Sequence, residues 1–246
     1  MRPKDAALLL SMVISAPAWA NTAATTDDCR RKPAKPVPAE IMTDGFFEAH
    51  PDLRWRSIAL GEYREGKYPE ALNSFKHASS YADKFSQSMV AHMYWNGMGT
   101  ESDRALAYVW MDLAAERMYH DFLYQRELYW SMLDEDQRAD AVVRGQPIFE
   151  QYADRLAKPR MEEQLLKVRT TITGSRTGFV GVGLYVVPTT GPAAGEQVPG
   201  GIMYAPEYWE PEQYWCTQDS YWSKPQGGNV EVGSPVQVPE AKKSGD

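Results

Sequence analysis

Histidines and cysteines are the residues of this chain that most readily hold metal ions or act as nucleophiles. The chain has four histidines and two cysteines. The histidines are His50, His77, His92 and His120, with no HExxH motif and no Cys or His pair at the spacing of a metal site. His92 falls in a helical pattern and His120 lies beside Asp121, which is typical of surface or hydrogen-bonded histidines. The sequence therefore predicts no metal site.

A glycine-rich stretch at residues 174–183 is a second place where chemistry could occur, because glycine-rich loops cradle phosphate groups. A phosphate loop ends in Lys-Ser or Lys-Thr and enters a helix, whereas a run of β-type residues follows here. Ser175 does not fit the GxSxG nucleophile motif either, since Thr173 and Thr177 stand at the glycine positions. The acidic run 134–136 is explained more simply as a helix cap. We therefore expect no enzymatic activity, no catalytic residues and no cofactor.

The first twenty residues have the features of a secretory signal peptide. Arg2 and Lys4 precede an apolar run over residues 6–16, and small side chains at Ala18 and Ala20 predict cleavage after Ala20. No apolar run reaches the roughly twenty residues that a helix needs to cross a bilayer. These features predict a periplasmic or secreted protein without a transmembrane segment.

The two cysteines, Cys29 and Cys216, both lie beyond this leader. An oxidising compartment would allow them to form a disulfide that closes a loop over most of the chain. We expect this bridge, with two distant free thiols as the alternative.

The charge balance bears on the possible partners. The chain carries a formal net charge of −7 at pH 7. Phosphate binding requires a clustered basic face, which an acidic chain of this kind disfavours. We therefore expect no nucleic-acid partner.

The segment that would position a binding site has helical periodicity from Pro51 to about Arg169. A first helix is predicted to end near Gly66, and Pro69 is predicted to open the next one. Three residues of that second helix, Ala71, Phe75 and Ala78, share one apolar stripe. This pattern indicates a helical hairpin.

The stretch from Tyr94 to Ala115 repeats this arrangement with a more specific pattern. Its marker residues are Tyr94, Gly97, Gly99, Asp103, Ala107, Trp110, Ala114 and Ala115. The pattern resembles the Sel1-like repeat, a relative of the tetratricopeptide repeat, over about residues 53–118. The resemblance implies helical hairpins in which small residues let two helices approach while Trp110 fills the space between them. It also implies that Asp103 caps a helix and that Gly97 and Gly99 form the turn.

The rest of the chain is predicted to close this short stack. Residues 121–133 and 135–152 suggest a third, degenerate hairpin, which Pro147 should bend or interrupt, and a further helix is predicted from Pro159 to Arg169. Residues 179–187 suggest one or two strands, with Ile202–Tyr204 as a partner strand. A helix predicted from Pro211 carries aromatic residues on one face.

These observations predict a mainly α fold, an α/α-hairpin repeat of the Sel1 or tetratricopeptide type with a small carboxy-terminal β- and aromatic-rich cap. The predicted regions are a signal peptide (1–20), a disordered linker (21–44), a Sel1-like repeat domain (45–170), a capping segment with a β-hairpin (171–233) and a disordered tail (234–246).

The resemblance implies a non-enzymatic adaptor that binds an unidentified protein or peptide along the first helix of each hairpin. The groove residues implied in this way are Arg56, Tyr63, Arg64, Ser88, His92, Trp95 and Asn96. The aromatic stretch 204–222 is predicted to cap the stack, or alternatively to bind an envelope glycan such as peptidoglycan. An enzyme of unrecognised type is a third hypothesis.

Overall fold

The computed structural model describes residues 26–31, 36–172 and 183–224, and this part of the protein is mainly helical, as predicted. The helices are α1 (Thr26–Arg31), α2 (Asp44–Ala49), α3 (Pro51–Arg64), α4 (Tyr68–Ser79), α5 (Lys84–Asn96), α6 (Arg104–Ala114), α7 (His120–Met132), α8 (Glu135–Tyr152), α9 (Asp154–Ile172), α10 (Gly200–Met203), α11 (Pro206–Trp209) and α12 (Pro211–Trp222). Two strands, β1 (Tyr185–Val186) and β2 (Val198–Pro199), pair antiparallel. The predicted signal peptide, the predicted strand residues 179–182 and the predicted tail 234–246 lie outside the described residues.

Helices α3 and α4 form the first hairpin, with the boundaries expected from proline and glycine. Pro51 is the first residue of α3, and Gly66 has the left-handed φ of +77° just beyond its end. On α4, the predicted stripe residues Ala71, Phe75 and Ala78 are completely buried. The predicted helices of this hairpin are therefore confirmed.

Helices α5 and α6 form the second hairpin, and its predicted markers have the expected local roles. Gly97 ends α5 in the left-handed conformation, and the Asp103 carboxylate accepts a 2.9 Å hydrogen bond from the Leu106 amide at the start of α6. Ala107 is completely buried and Trp110 is only 2% exposed. Small and large side chains thus alternate in the core of this hairpin, as expected.

Gly99 lies in the turn of the second hairpin and allows this turn to contact the start of α4 directly. Its φ is +74°, and a β-carbon added there would stand 2.4 Å from the carbonyl carbon of Tyr68. Helix α4 also packs along α5. The two hairpins are therefore in direct contact at both places.

Helix α6 packs against α7 and α8, but one predicted helix start in this region is wrong, and Pro147 does not interrupt its helix. Helix α8 is not interrupted at Pro147, and α9 begins at Asp154, five residues before Pro159. A proline removes the hydrogen bond to the carbonyl four residues earlier. The residues that lose this bond, Val143 and Arg155, are both exposed, so water can serve their carbonyl groups.

The carboxy-terminal strands also pair differently from the prediction. The partner of Val186 is Val198, and Ile202–Met203 belong to α10 instead of a strand. The Gly200 amide donates a 2.7 Å hydrogen bond to the Leu184 carbonyl, and the closeness of Leu184 leaves little room for a side chain at that position. The strand therefore ends at Pro199 because the chain turns there into a helix.

Residues 26–31 and 36–44 contain secondary structure, although a disordered linker was predicted over residues 21–44. Helix α1 and a 3-10 turn at Ala39–Ile41 lie in this segment. Ile41 is completely buried beside Phe46 and Trp209, so the aminoterminal segment shares a second core with the carboxy-terminal aromatics. A pattern search within the segment could not reveal this, because the apolar partners lie at the other end of the chain.

The predicted disulfide between Cys29 and Cys216 is present and joins α1 to α12. Among the helices of residues 26–31, 36–172 and 183–224, none has the length and apolar character that crossing a bilayer requires.

Candidate binding site at the α12 cleft

Helix α12 begins at Pro211, as predicted, but its aromatic face is divided between the core and the surface. Tyr214 and Trp215 are buried, whereas Tyr221 is 39% exposed and Trp222 is half-buried. The first half of the helix is therefore anchored in the core, and its second half reaches the surface.

Trp222 brings the end of α12 onto the first helices of the hairpins. Its ring stacks on Phe85 of α5 with centroids 5.6 Å apart, and it contacts Phe122 of α7 at 5.7 Å. The Arg56 guanidinium of α3 lies 6.0 Å from the same ring. The chain itself thus covers part of the face that the repeat resemblance assigns to a binding groove.

An open cleft remains between α3, the second half of α12 and the segment 36–42, and we call it the α12 cleft. Its volume is about 370 Å³. Most of its lining is apolar. The lining residues are Pro36, Val37, Met42, Leu53, Arg56, Leu60, Phe85, Thr217, Gln218, Tyr221 and Trp222. An apolar concavity with a few polar groups is the usual form of a ligand site.

Of the seven predicted groove residues, Arg56 lies among the lining residues of the α12 cleft. Tyr63 and Trp95 are half-buried and have structural contacts instead. The Tyr63 hydroxyl donates a 3.4 Å hydrogen bond to the Met98 sulfur, and the Trp95 ring stacks 4.0 Å from the Tyr129 ring.

The other four predicted groove residues lie away from the cleft lining. Arg64, His92 and Asn96 are exposed, and the Asn96 amide donates a 2.9 Å hydrogen bond to the His92 carbonyl. The half-buried Ser88 donates to the Phe85 carbonyl at 2.7 Å. By helical spacing, Phe85, Ser88 and His92 lie on one side of α5, so this surface extends away from the cleft.

Beneath the cleft, Arg56 is held by a buried aspartate. Its Nη1 atom donates to Asp83 Oδ1 at 2.9 Å, and the Asp83 side chain is only 2% exposed. The second oxygen of Asp83 accepts from the Ser86 amide at 3.2 Å and so caps α5. Asp83 therefore fixes both a helix start and the position of the cleft's arginine.

Asp52 is a second buried carboxylate in this cluster. Burial and the nearby Asp83 raise its pKa from 3.8 to about 6, although a hydrogen bond from the Tyr214 hydroxyl and the charge of Arg56 partly lower it. Its Oδ1 atom has no hydrogen-bond partner within the described residues. Asp52 thus ties α12 to α3 and carries a proton under mildly acidic conditions.

We expect Asp52→Asn to change how stability depends on pH. Folded Asp52 binds its proton more tightly than the unfolded chain does, so its contribution to stability decreases as pH rises from about 4 to about 6. The difference in unfolding free energy, wild type minus Asp52→Asn, should therefore fall by about 2 kcal/mol between pH 4 and pH 7. Urea unfolding across this range measures it.

The contributions of the other titrating groups to the pH dependence cancel in this difference, because both proteins contain them. These groups are His50, Arg56, Asp83 and Tyr214. Asparagine can still accept the Tyr214 hydrogen bond. Parallel pH profiles for the two proteins would contradict the raised pKa of Asp52.

Two other depressions are less suited to an apolar ligand. One, of about 590 Å³, is lined by Asp44, Glu48 and Arg54 among others, and the second, of about 400 Å³, lies beside the disulfide with Lys158 and Glu162. Within the described ranges, no group of three His, Cys, Asp or Glu residues could hold a metal ion.

The aromatic stretch 204–222 is mostly core. Tyr208, Trp209, Tyr214 and Trp215 are between 1% and 7% exposed, and the Trp209 indole donates a 2.8 Å hydrogen bond to the Met203 carbonyl. Only the end of the stretch, Tyr221 and Trp222, contributes rings to the α12 cleft.

Sequence reasoning missed Asp52 and Asp83 as members of this site, whereas it placed Tyr214 on the aromatic face of the helix from Pro211. Asp83 did carry a signal, since an Asp before an apolar helical run is a typical helix cap. The pairing of Asp52 with Tyr214 had no such signal, because the two residues meet across 162 residues of sequence.

Comparison of the chain with models of known protein families, with curated proteins and with solved structures gave no match.

Proposed function

We propose that this protein is a non-enzymatic Sel1-like repeat module that binds a protein or a peptide in the periplasm or outside the cell. The α12 cleft is the observation that carries the proposal. It is open, largely apolar and formed where the first helices of both hairpins meet α12. The disulfide between Cys29 and Cys216 supports an oxidising compartment.

The lining of the cleft favours side-chain anchors over a catalytic reaction. Leu53, Leu60 and Phe85 supply apolar surface, while Arg56 is paired with Asp83. Binding surfaces of this kind obtain most of their affinity from a few apolar anchors in a desolvated pocket. The exposed residues Arg64 and His92 extend the proposed contact surface beyond the cleft.

The proposal is tested by selecting short random peptides on the purified protein and measuring the affinity of those enriched. Leu60→Glu places a charge in the cleft. It should lower the affinity for the selected peptides at least about tenfold, which corresponds to about 1.4 kcal/mol. The matched control, Ile58→Glu, makes the same type of change on α3 at a residue outside the cleft lining and should leave the affinity unchanged.

Melting curves of both variants are measured first. If Leu60→Glu does not fold, Gln218→Trp serves in its place, because it fills the cleft from α12. Failure to enrich any peptide, or equal binding by both variants, would refute the proposed site.

Glycan binding is the second candidate, and the observation that supports it is the pair of rings at the cleft. Tyr221 and Trp222 lie 5.0 Å apart and nearly perpendicular. A sugar also requires several hydrogen-bond partners, and Arg56, Thr217 and Gln218 are the main polar groups of the lining. A peptidoglycan pull-down with Trp222→Ala as the comparison tests this alternative.

A further inference from the structure

The position of Arg56 in the α12 cleft indicates a specific ligand chemistry. Its guanidinium lies 5.9 Å from the Phe85 ring and 6.0 Å from the Trp222 ring, both of which line the cleft. Contacts of this kind hold a guanidinium beside aromatic rings without using its N–H donors to reach a carboxylate.

The arginine has hydrogen-bonding capacity to spare. A guanidinium has five N–H donors, and within the described residues Arg56 uses one nitrogen, Nη1, to reach Asp83. Its side chain is 21% exposed and lines the cleft, so its other N–H donors are within reach of a ligand that enters there.

The walls of the cleft exclude most anions that an arginine could bind. Phosphate and sulfate would place their remaining charge against Leu53, Leu60 and Phe85, which offer it no hydrogen bond. A carboxylate matches the fork of a guanidinium with both of its oxygens. An aliphatic chain behind that carboxylate would cover the apolar walls without leaving a polar group unpaired.

We propose that the α12 cleft binds an aliphatic monocarboxylate of the fatty-acid type, with its carboxylate on Arg56 and its hydrocarbon chain along Leu60, Phe85 and Trp222. Asp83 already neutralises much of the charge of Arg56, so burial of the chain supplies most of the affinity and the guanidinium fork supplies selectivity for the head group. Such a ligand occupies the same space as a peptide anchor. This inference does not depend on peptide binding at the cleft.

The test uses ligands that share one hydrocarbon chain and differ at the head group: decanoate, decanol and decyltrimethylammonium, titrated by calorimetry below their micelle concentrations. Decanoate should bind at least about tenfold more tightly than the alcohol or the cation. Lengthening the carboxylate should strengthen binding roughly tenfold for every two carbons until the chain fills the cleft.

Protein variants assign the site. Gln218→Trp should abolish decanoate binding by filling the cleft, whereas Ile58→Glu should leave it intact. Arg56→Lys keeps the charge and the pairing with Asp83 but loses the fork, and it should reduce the preference for decanoate over decanol.

Equal affinity for decanoate and decanol, binding that survives Gln218→Trp, or no binding by any chain length would each overturn the inference. None of these results bears on the peptide selection, because the titrations contain no peptide. The two proposals can therefore fail separately.

Discussion

Replacing Trp110 with alanine should lower the free energy of unfolding by about 3–5 kcal/mol, the usual cost of removing a large aromatic side chain from a core. The indole is 2% exposed and packs beside the Tyr152 ring, with centroids 4.6 Å apart. Its neighbours in this core include Ala107 and Ala114, whose small side chains cannot extend to fill the space. The cavity therefore stays largely open, and chemical denaturation will measure the loss.

Trp55→Ala is the matched control, because it makes the same change at a half-buried position. The Trp55 ring stacks 4.6 Å from His77, which is itself exposed, so water can enter the space that the ring leaves. A smaller loss of stability is expected for this variant. If Trp110→Ala melts close to the wild type, the indole does not organise the second hairpin.

The hairpins were predictable because their signals are local. Pro51, Gly66, Gly97 and Asp103 act on the backbone within a few residues of their own positions, so their types alone indicate where helices begin and end. The burial of Ala71 and Ala107 follows equally from helical spacing. These features need no knowledge of the rest of the chain.

The α12 cleft could be predicted only in part. The position of Arg56 on a first helix predicts a groove residue, and Arg56 lines the cleft. The opposite wall comes from α12, and the segment 36–42 completes it. Those contacts join regions far apart in sequence, and no periodicity within a single segment reports them.

The contacts of Lys84 could not be predicted either, because they too join distant regions of the chain. In the sequence this lysine looks like an ordinary surface residue. Its side chain is completely buried at the start of α5, where Nζ donates to the Leu113 carbonyl at 2.8 Å and lies 2.9 Å from both Glu116 and Asp154. Asp154 is the first residue of α9. This cluster therefore connects the second hairpin to α9.

Asp154 is the central anion of this cluster. Burial alone would raise its pKa, but Arg117 and Lys84 lower it to about 2. Arg117 binds both carboxylate oxygens, at 2.6 and 3.1 Å. The stability that Asp154 contributes is therefore present above its unfolded pKa of 3.8 and is lost as pH falls through about 2.

We expect Asp154→Ala to cost about 3–5 kcal/mol at neutral pH, because it leaves two buried cations without their shared partner. Lys84→Met should cost less, since it removes one cation and leaves the pair of Arg117 and Asp154 intact. The difference in unfolding free energy between these variants, measured in urea, separates the loss of one ion pair from the loss of the carboxylate that both cations share. Equal losses would show that side-chain packing at α9, and not charge, holds it to the second hairpin.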